Sequence, residues 1–392
     1  MHSSIGLFCL VGDCFAHLPD LLSKSRVVPG TYAHIDIFSN NKHPRRLRGC
    51  LFVYNPLNMR KFIFILILFL GAALVYLSFS ELESILRTLQ QGNFWFILLA
   101  VLIQFGWFLV AGLIFQSLYH VLGMEDTVYK FSLLAASATF INIVTPSAGV
   151  GGVAVFISEA RRNRQSVGKV TVASMLYLFL DYVAFLVVLA LGLFILFRRN
   201  DLGPTELAAS GVMFAIAAGL GTLLYLGSRS ADALGNTLAW MARFINRIVK
   251  PFLHHDYLSE ARAHEFAHEM ASDLKSLPEK VHNLSTPLLY SFASKALLMC
   301  VLLSIFIAFQ VPFSAGTIVG GFAISYLFLI VSPTPSGVGI VEGIMPLALS
   351  SLRVPWSEAV IITLAYRGIT FWLPLAFGAV AFRMLERERI TA

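Results

Sequence analysis

Charge is what this chain has least of. Only 13% of its 392 residues are Asp, Glu, Lys or Arg, while 57% are hydrophobic. That is too little charge to cover the surface of a water-soluble domain of this length. Cysteine is equally sparse. Cys9, Cys14 and Cys50 precede the first long apolar run, Cys300 lies inside another, and no CxxC pair occurs. Neither a disulfide framework nor a cysteine-ligated metal site is supported. No Walker-type Gly-rich loop ending in Lys-Ser/Thr is present, so nothing supports ATP hydrolysis. The apolar run at residues 7–11 is too short for a signal peptide and has no basic residue before it. The formal charge of +7 sits in short clusters beside apolar runs. That is the orientation signal of membrane proteins and not a nucleic-acid footprint.

What is abundant is long apolar sequence, with 33 Phe suited to a lipid-facing surface. A helix needs roughly 20 apolar residues to cross the hydrocarbon core. Six segments meet that length, at about 62–80, 94–118, 170–197, 211–227, 288–310 and 357–382. Two more apolar regions, 130–158 and 314–350, are interrupted near the middle. The first interruption runs from Thr145 through Pro146 and Ser147 to Gly149, Gly151 and Gly152. The second runs from Ser332 through Pro335 and Ser336 to Gly337 and Gly339. Pro removes a backbone donor and Gly loosens the chain, so neither helix continues through its break. Residues 1–58 read as an extension of different character, and Met59-Arg60-Lys61 before Phe62 reads as the natural start. Residues 59–392 form the membrane domain.

The basic clusters set an orientation. Six basic residues and no acid lie between Lys42 and Lys61. Arg161, Arg162, Arg164 and Lys169 form a second group, Arg383, Arg387 and Arg389 a third, and loop 229–285 adds seven more. Placing these in the cytoplasm leaves only Arg87, Arg198, Arg199 and Arg353 outside. Both termini are then cytoplasmic, in what reads as a bacterial cytoplasmic (inner) membrane. On that count the first broken region begins and ends inside, and the second begins and ends outside. Each dips in and returns, from opposite faces.

The halves also match in sequence. Gly149-Val150-Gly151 corresponds to Gly337-Val338-Gly339, and the following helices carry Ser174-Met175-Leu176-Tyr177 and Thr363-Leu364-Ala365-Tyr366. The expected fold is an all-α integral membrane protein with six transmembrane helices and two re-entrant hairpins in an inverted repeat. Irregular backbone at membrane depth is tolerated where it lines a cavity or is buried in protein. Free amides at a half-helix N-terminus attract anions such as phosphate.

At these residues the chain resembles the flippase-like membrane domain of lysylphosphatidylglycerol synthases. Pro335-Ser336-Gly337-Val338-Gly339-Ile340-Val341-Glu342, then Ala365-Tyr366-Arg367 and Trp372, carry the resemblance, with Asn142 to Gly152 as a first copy. It covers about residues 59–390 and implies translocation of a phospholipid or other lipid-linked substrate. The aminoacyl-transferring soluble domain of that family has no counterpart here, so lysyl transfer is not expected. Nor is a catalytic residue, a cofactor or a metal.

The expected substrate contacts are Asn142, Pro146, Ser147, Gly149, Gly151 and Gly152 at the first break. At the second they are Pro335, Ser336, Gly337, Gly339 and Glu342, with Asp181, Tyr366 and Arg367 in the spans. Arg367 suits phosphate, and Glu342 can pair with it. Asn142 can instead serve freed backbone, and Tyr177 and Tyr366 can simply fill space. Asp181 has no obvious partner in the sequence, and Lys295, in the first turns of its span, can reach toward the cytoplasmic face. Partners would be membrane lipids, or an envelope synthase or glycosyltransferase if the chain is a non-transporting partner. A rival motif, His264-Glu265-Phe266-Ala267-His268, is a literal HExxH, which would suit a membrane-embedded zinc peptidase with Glu265 as general base and Asp273, Glu279 or His282 as a third zinc ligand. Apolar residues around it recur at helical spacing (Leu258, Ala261, Phe266, Met270, Leu274, Leu277), which an amphipathic hairpin lying on the cytoplasmic surface also explains.

Overall fold

The computed structural model describes residues 85, 87–144, 150–200, 202–253, 260–274, 283–332 and 334–391. The expected first span at 62–80, the extension, and Pro146, Ser147 and Gly149 lie outside the described residues. So do Leu258, Leu277, Glu279 and His282. Every regular element among the described residues is helical.

The helices are α1 (Phe94–Val121), α2 (Val128–Val144), α3 (Val150–Arg162), α4 (Val167–Arg198), α5 (Pro204–Arg229) and α6 (Ala231–Leu253). They continue with α7 (Glu260–Leu274), α8 (Ser285–Ala308), α9 (Ala315–Val331), α10 (Ile340–Ser351), α11 (Trp356–Arg367) and α12 (Leu373–Thr391). A π segment, Gly368–Trp372, joins the last two into one span. Among the described residues five helical stretches are long and apolar enough to cross a bilayer: α1, α4, α5, α8 and Trp356–Arg387. Their boundaries follow local chemistry. Asn93 accepts from the Trp95 amide at the start of α1, and Ser166 accepts from the Lys169 amide at the start of α4. α5 begins at Pro204, earlier than its apolar run, because a first turn tolerates Pro and Glu206.

Large apolar side chains point outward along these stretches, among them Leu102, Leu109, Phe194 and Phe214. Water would not tolerate so continuous an apolar surface; lipid does. The chain is a multi-pass membrane protein.

Both interrupted regions fold as helical hairpins. In the first, Lys130 near the start of α2 meets Glu159 near the end of α3 at 3.2 Å, and Asp126 at 3.0 Å. In the second, the Arg199 guanidinium donates to the Leu352 carbonyl at 3.0 Å and to Ser314 Oγ at 3.4 Å. Ser314 caps the start of α9 and Leu352 the end of α10. Arg199 is also the C-cap of α4, whereas α3 ends just before α4 begins. The open ends of the hairpins therefore lie at opposite ends of α4, which is about 48 Å long at 1.5 Å per residue. No arm exceeds 17 residues, or about 26 Å, which is short of a hydrocarbon core about 30 Å thick.

The two hairpins seat alike. α9 packs on α4, where a Cβ on Gly192 would collide with Ala323. α2 packs on α12, where a Cβ on Gly378 would collide with the Ala136 carbonyl. Small residues let these backbones approach closely, as helices in lipid commonly do.

The loop between α5 and α8 corrects one expectation. α6 and α7 do form a hairpin, but the apolar face of α7 is not a surface face. Ala267, Met270 and Leu274 are buried in a core that includes Val170, Leu176, Leu224 and Leu234, and Ala271 is buried as well. Ala261, by contrast, is exposed. A tightly packed partner was available, and apolar spacing alone does not distinguish protein from lipid.

Candidate functional site

The second break is built from three consecutive demands on the backbone. Pro335–Gly337 forms a single 3₁₀ turn, with Ser336 at φ 48° and Gly337 at φ 70°, and Gly339 follows at φ 80°. A Cβ on Gly337 would lie 2.6 Å from Val341 Cγ2 and 3.2 Å from the Leu329 backbone. Gly337→Ala is thus expected to lower stability by about 1–3 kcal/mol through left-handed strain and crowding, read as a lower thermal midpoint of the purified protein in detergent.

After the turn, α10 begins, and its first amides need an acceptor. Glu342 supplies it: one carboxylate oxygen accepts from the Gly339 N–H at 2.8 Å. Its other oxygen accepts from Arg367 Nε at 2.6 Å. Arg367 also donates to the Ser336 carbonyl at 3.2 Å and lies 4.6 Å over the Phe371 ring. Arg367 is the last residue before the π segment, which contains Phe371. Single π turns commonly reposition side chains in this way. The expected pairing of Glu342 with Arg367 is present. At this helix N-terminus a protein carboxylate already holds the N-cap amide, a position that an incoming anion would share.

The first break shows a different device. Asn142, on α2, accepts from the Gly152 amide on α3 at 2.7 Å, so its side chain serves backbone freed by the interruption. A Cβ on Gly152 would lie 2.6 Å from Asn142 Nδ2. Gly152→Ala is expected to displace that amide and cost about 1–2 kcal/mol, measurable as a thermal shift that Asn142→Ala largely pre-empts. Gly151 lies in the first turn of α3. Beside this break is a half-open crevice of about 80 Å³, with Asn142, Thr139, Ser174, Tyr177 and Trp107 among its walls. Phe115 stacks on Tyr177 and on Phe156 beneath it.

A third cluster lies between α4, α8 and α9. Lys295 is buried and meets Asp181 at 2.6 Å and the Tyr326 hydroxyl at 2.7 Å, with its ammonium 4.3 Å from the Tyr326 ring centre. Lys295 does not reach toward a membrane face. It lies well inside α8, which begins ten residues earlier at Ser285, and the apolar surroundings favour a paired ammonium over a long reach to water. Asp181 has the partner that its sequence context did not reveal. Two opposite charges within apolar spans were the available signal.

The structure groups the expected residues accordingly. Pro335, Ser336, Gly337, Gly339, Glu342 and Arg367 come together; Asn142 and Gly152 form a separate contact. Asp181 joins neither network, although it sits one helical turn from crevice-lining Tyr177. Tyr366 is buried in a core against which Tyr182 and Tyr326 pack. The Pro335–Gly337 turn packs on α2, so the second break reaches the arm of the first hairpin.

The HExxH residues lie on α7. His268 Nε2 is 3.6 Å from Asp232 of α6, both well exposed, and His264 packs on Gly235. Among the described residues no group of three His, Cys, Asp or Glu side chains converges as a metal site would require.

Comparison with known sequences adds an independent line. The chain is 23% identical over 331 residues to the UPF0104 membrane protein MJ1595 of Methanocaldococcus jannaschii, covering 82% of this chain and 93% of that one. The profile described as Lysylphosphatidylglycerol synthase TM region matches residues 62–378, which include both breaks, both buried ion pairs and all five described spans but for the last turns of the final one. The chain belongs to the lysylphosphatidylglycerol synthase transmembrane-region family.

Proposed function

We propose that this protein translocates a phospholipid or another lipid-linked anion across the cytoplasmic membrane. In this reading both hairpins are re-entrant, dipping in from opposite faces as the halves of an inverted repeat. The supporting geometry is the placement of their open ends at opposite ends of α4, together with the matched seating of α9 on α4 and α2 on α12. The basic clusters fit that orientation. Arg161, Arg162, Arg164 and Lys169 flank the start of α4 on the cytoplasmic side, and Arg198, Arg199 and Arg353 lie at the sparsely charged outer end.

The single observation that carries the reading is the Arg367–Glu342 pair at the N-terminus of α10. A headgroup phosphate makes the same contacts as the Glu342 carboxylate. By displacing it from Arg367 and the Gly339 amide, the phosphate takes over both contacts, while the freed Glu342 carboxylate, 17% exposed, turns to water so that no charge is left bare in oil. Lys295 and Asp181 provide a second internally neutral pair, which holds α8 to α4 during that exchange.

The test is reconstitution into liposomes with fluorescent anionic, neutral and lysyl-modified lipids. Anionic lipid is expected to exchange leaflets faster than in protein-free vesicles. Arg367→Lys, which keeps the charge and loses the planar fork, is expected to slow that exchange roughly tenfold. No acceleration of any lipid by folded protein would overturn the proposal. It would instead favour a non-transporting partner of an envelope lipid or glycan synthase, a reading to which the complete internal pairing of Arg367 and Glu342 lends support.

A further inference from the structure

Helix α6 starts at a membrane boundary. The span α5 ends at Arg229, the single extended residue Ser230 turns the chain, and Ser230 Oγ then accepts from the Ala233 amide to open α6. Exposed Tyr225, with Arg229 5.7 Å over its ring, marks the end of α5 as an interfacial belt position. With Asp232, Arg243, Arg247 and Lys250 in its sequence, α6 is too charged to cross. One side of it is covered, since Ala239, Ala242 and Asn246 are buried and Gly235 meets His264 of α7. The other side is not covered. Trp240 is 60% exposed and Phe244 53%, their rings stacked with centroids 6.0 Å apart, and Met241 stands beside them. At 100° per residue these three lie within an arc of about 100°, with exposed Arg243 and Arg247 along its edge.

We infer that α6 lies in the membrane interface as a binding surface for anionic lipid, with the Trp240–Phe244 stack at the headgroup level and Arg247 against lipid phosphate. An aromatic stripe edged with arginine is the composition that such a helix requires, apolar area for the acyl boundary and cationic charge for an anionic leaflet. Arg247 is exposed beside the stripe, and the single acid of α6, Asp232, faces His268 of α7 instead. The partner fitted by that charge is a lipid surface.

The experiment uses the full chain in phosphatidylcholine bilayers carrying equal fractions of brominated phosphatidylcholine or brominated phosphatidylglycerol. The contribution of Trp240 is the difference between wild type and Trp240→Phe, which leaves the other four of the five tryptophans in place. Bromolipid should quench that contribution, the anionic form more than the neutral one. Arg247→Gln should lower the anionic preference by roughly fivefold while quenching by neutral bromolipid persists, which also shows that the variant is folded. Quenching of Trp240 by aqueous iodide and not by bromolipid would overturn the inference and turn the stripe toward water or a soluble protein. Equal quenching by both bromolipids would overturn the choice of an anionic partner. Neither readout depends on translocation.

Discussion

Arg367→Ala is expected to destabilise the protein by about 3–4 kcal/mol and to abolish headgroup exchange. Truncating one member of a buried pair leaves the other charge uncompensated, which typically costs 3–5 kcal/mol. The lower part of that range applies because the Gly339 amide and the N-terminus of α10 still hold the Glu342 carboxylate. Glu342→Gln/Arg367→Met removes both charges and keeps much of the volume. Its thermal midpoint should return to within about 1–2 kcal/mol of wild type, while transport in liposomes stays absent. A double variant that is stable and still exchanges anionic lipid would show the pair to be structural only.

The second large effect is at Lys295. Lys295→Ala strands Asp181 between α4 and α8, takes a donor from Tyr326, and should cost about 3–5 kcal/mol. Asp181→Asn/Lys295→Met should recover most of the loss, since an apolar replacement of a buried pair is often neutral or better. In contrast to the Arg367 pair, this rescue should restore anionic lipid exchange as well as the thermal midpoint. A stable double variant with no exchange would move Lys295 and Asp181 from support to substrate handling.

The contrast between these pairs explains what the sequence could and could not reveal. Glu342 and Arg367 are 25 residues apart and both belong to the motif around the second break, so their meeting was readable. Asp181 and Lys295 belong to different helices far apart along the chain, and no periodicity links them. The apolar run around Lys295 marks neither the start of α8 at Ser285 nor the partner on α4 that holds its ammonium inside the protein. The spans were legible because an apolar run of sufficient length admits few alternatives in lipid. The hairpins were legible because Pro and Gly break helices by local chemistry. The π segment was not, because it depends on tertiary packing around Gly368, where a Cβ would meet Ile85. Nor was the division of labour in the α6–α7 hairpin, where both helices offer apolar faces and only packing decides which one is covered.

Glu342 at the start of α10 also changes the physical picture of the break. An open helix terminus would be a standing anion site. In the proposed reading, a terminus whose N-cap amide is held by a carboxylate opens in exchange, which suits a substrate that must be released as readily as it is bound.

The two hairpins opening to opposite faces are the claim on which the rest depends, and cysteine labelling tests it directly. In a background with Cys9, Cys14, Cys50 and Cys300 replaced, single cysteines at Thr127 and Asn163 bracket the first hairpin, and at Phe313 and Arg353 the second; all four positions are exposed. With a membrane-impermeant maleimide on intact cells, Phe313→Cys and Arg353→Cys should label at once, and Thr127→Cys and Asn163→Cys only after permeabilisation. Labelling of all four from one face, or of the two ends of either hairpin from different faces, would contradict the account.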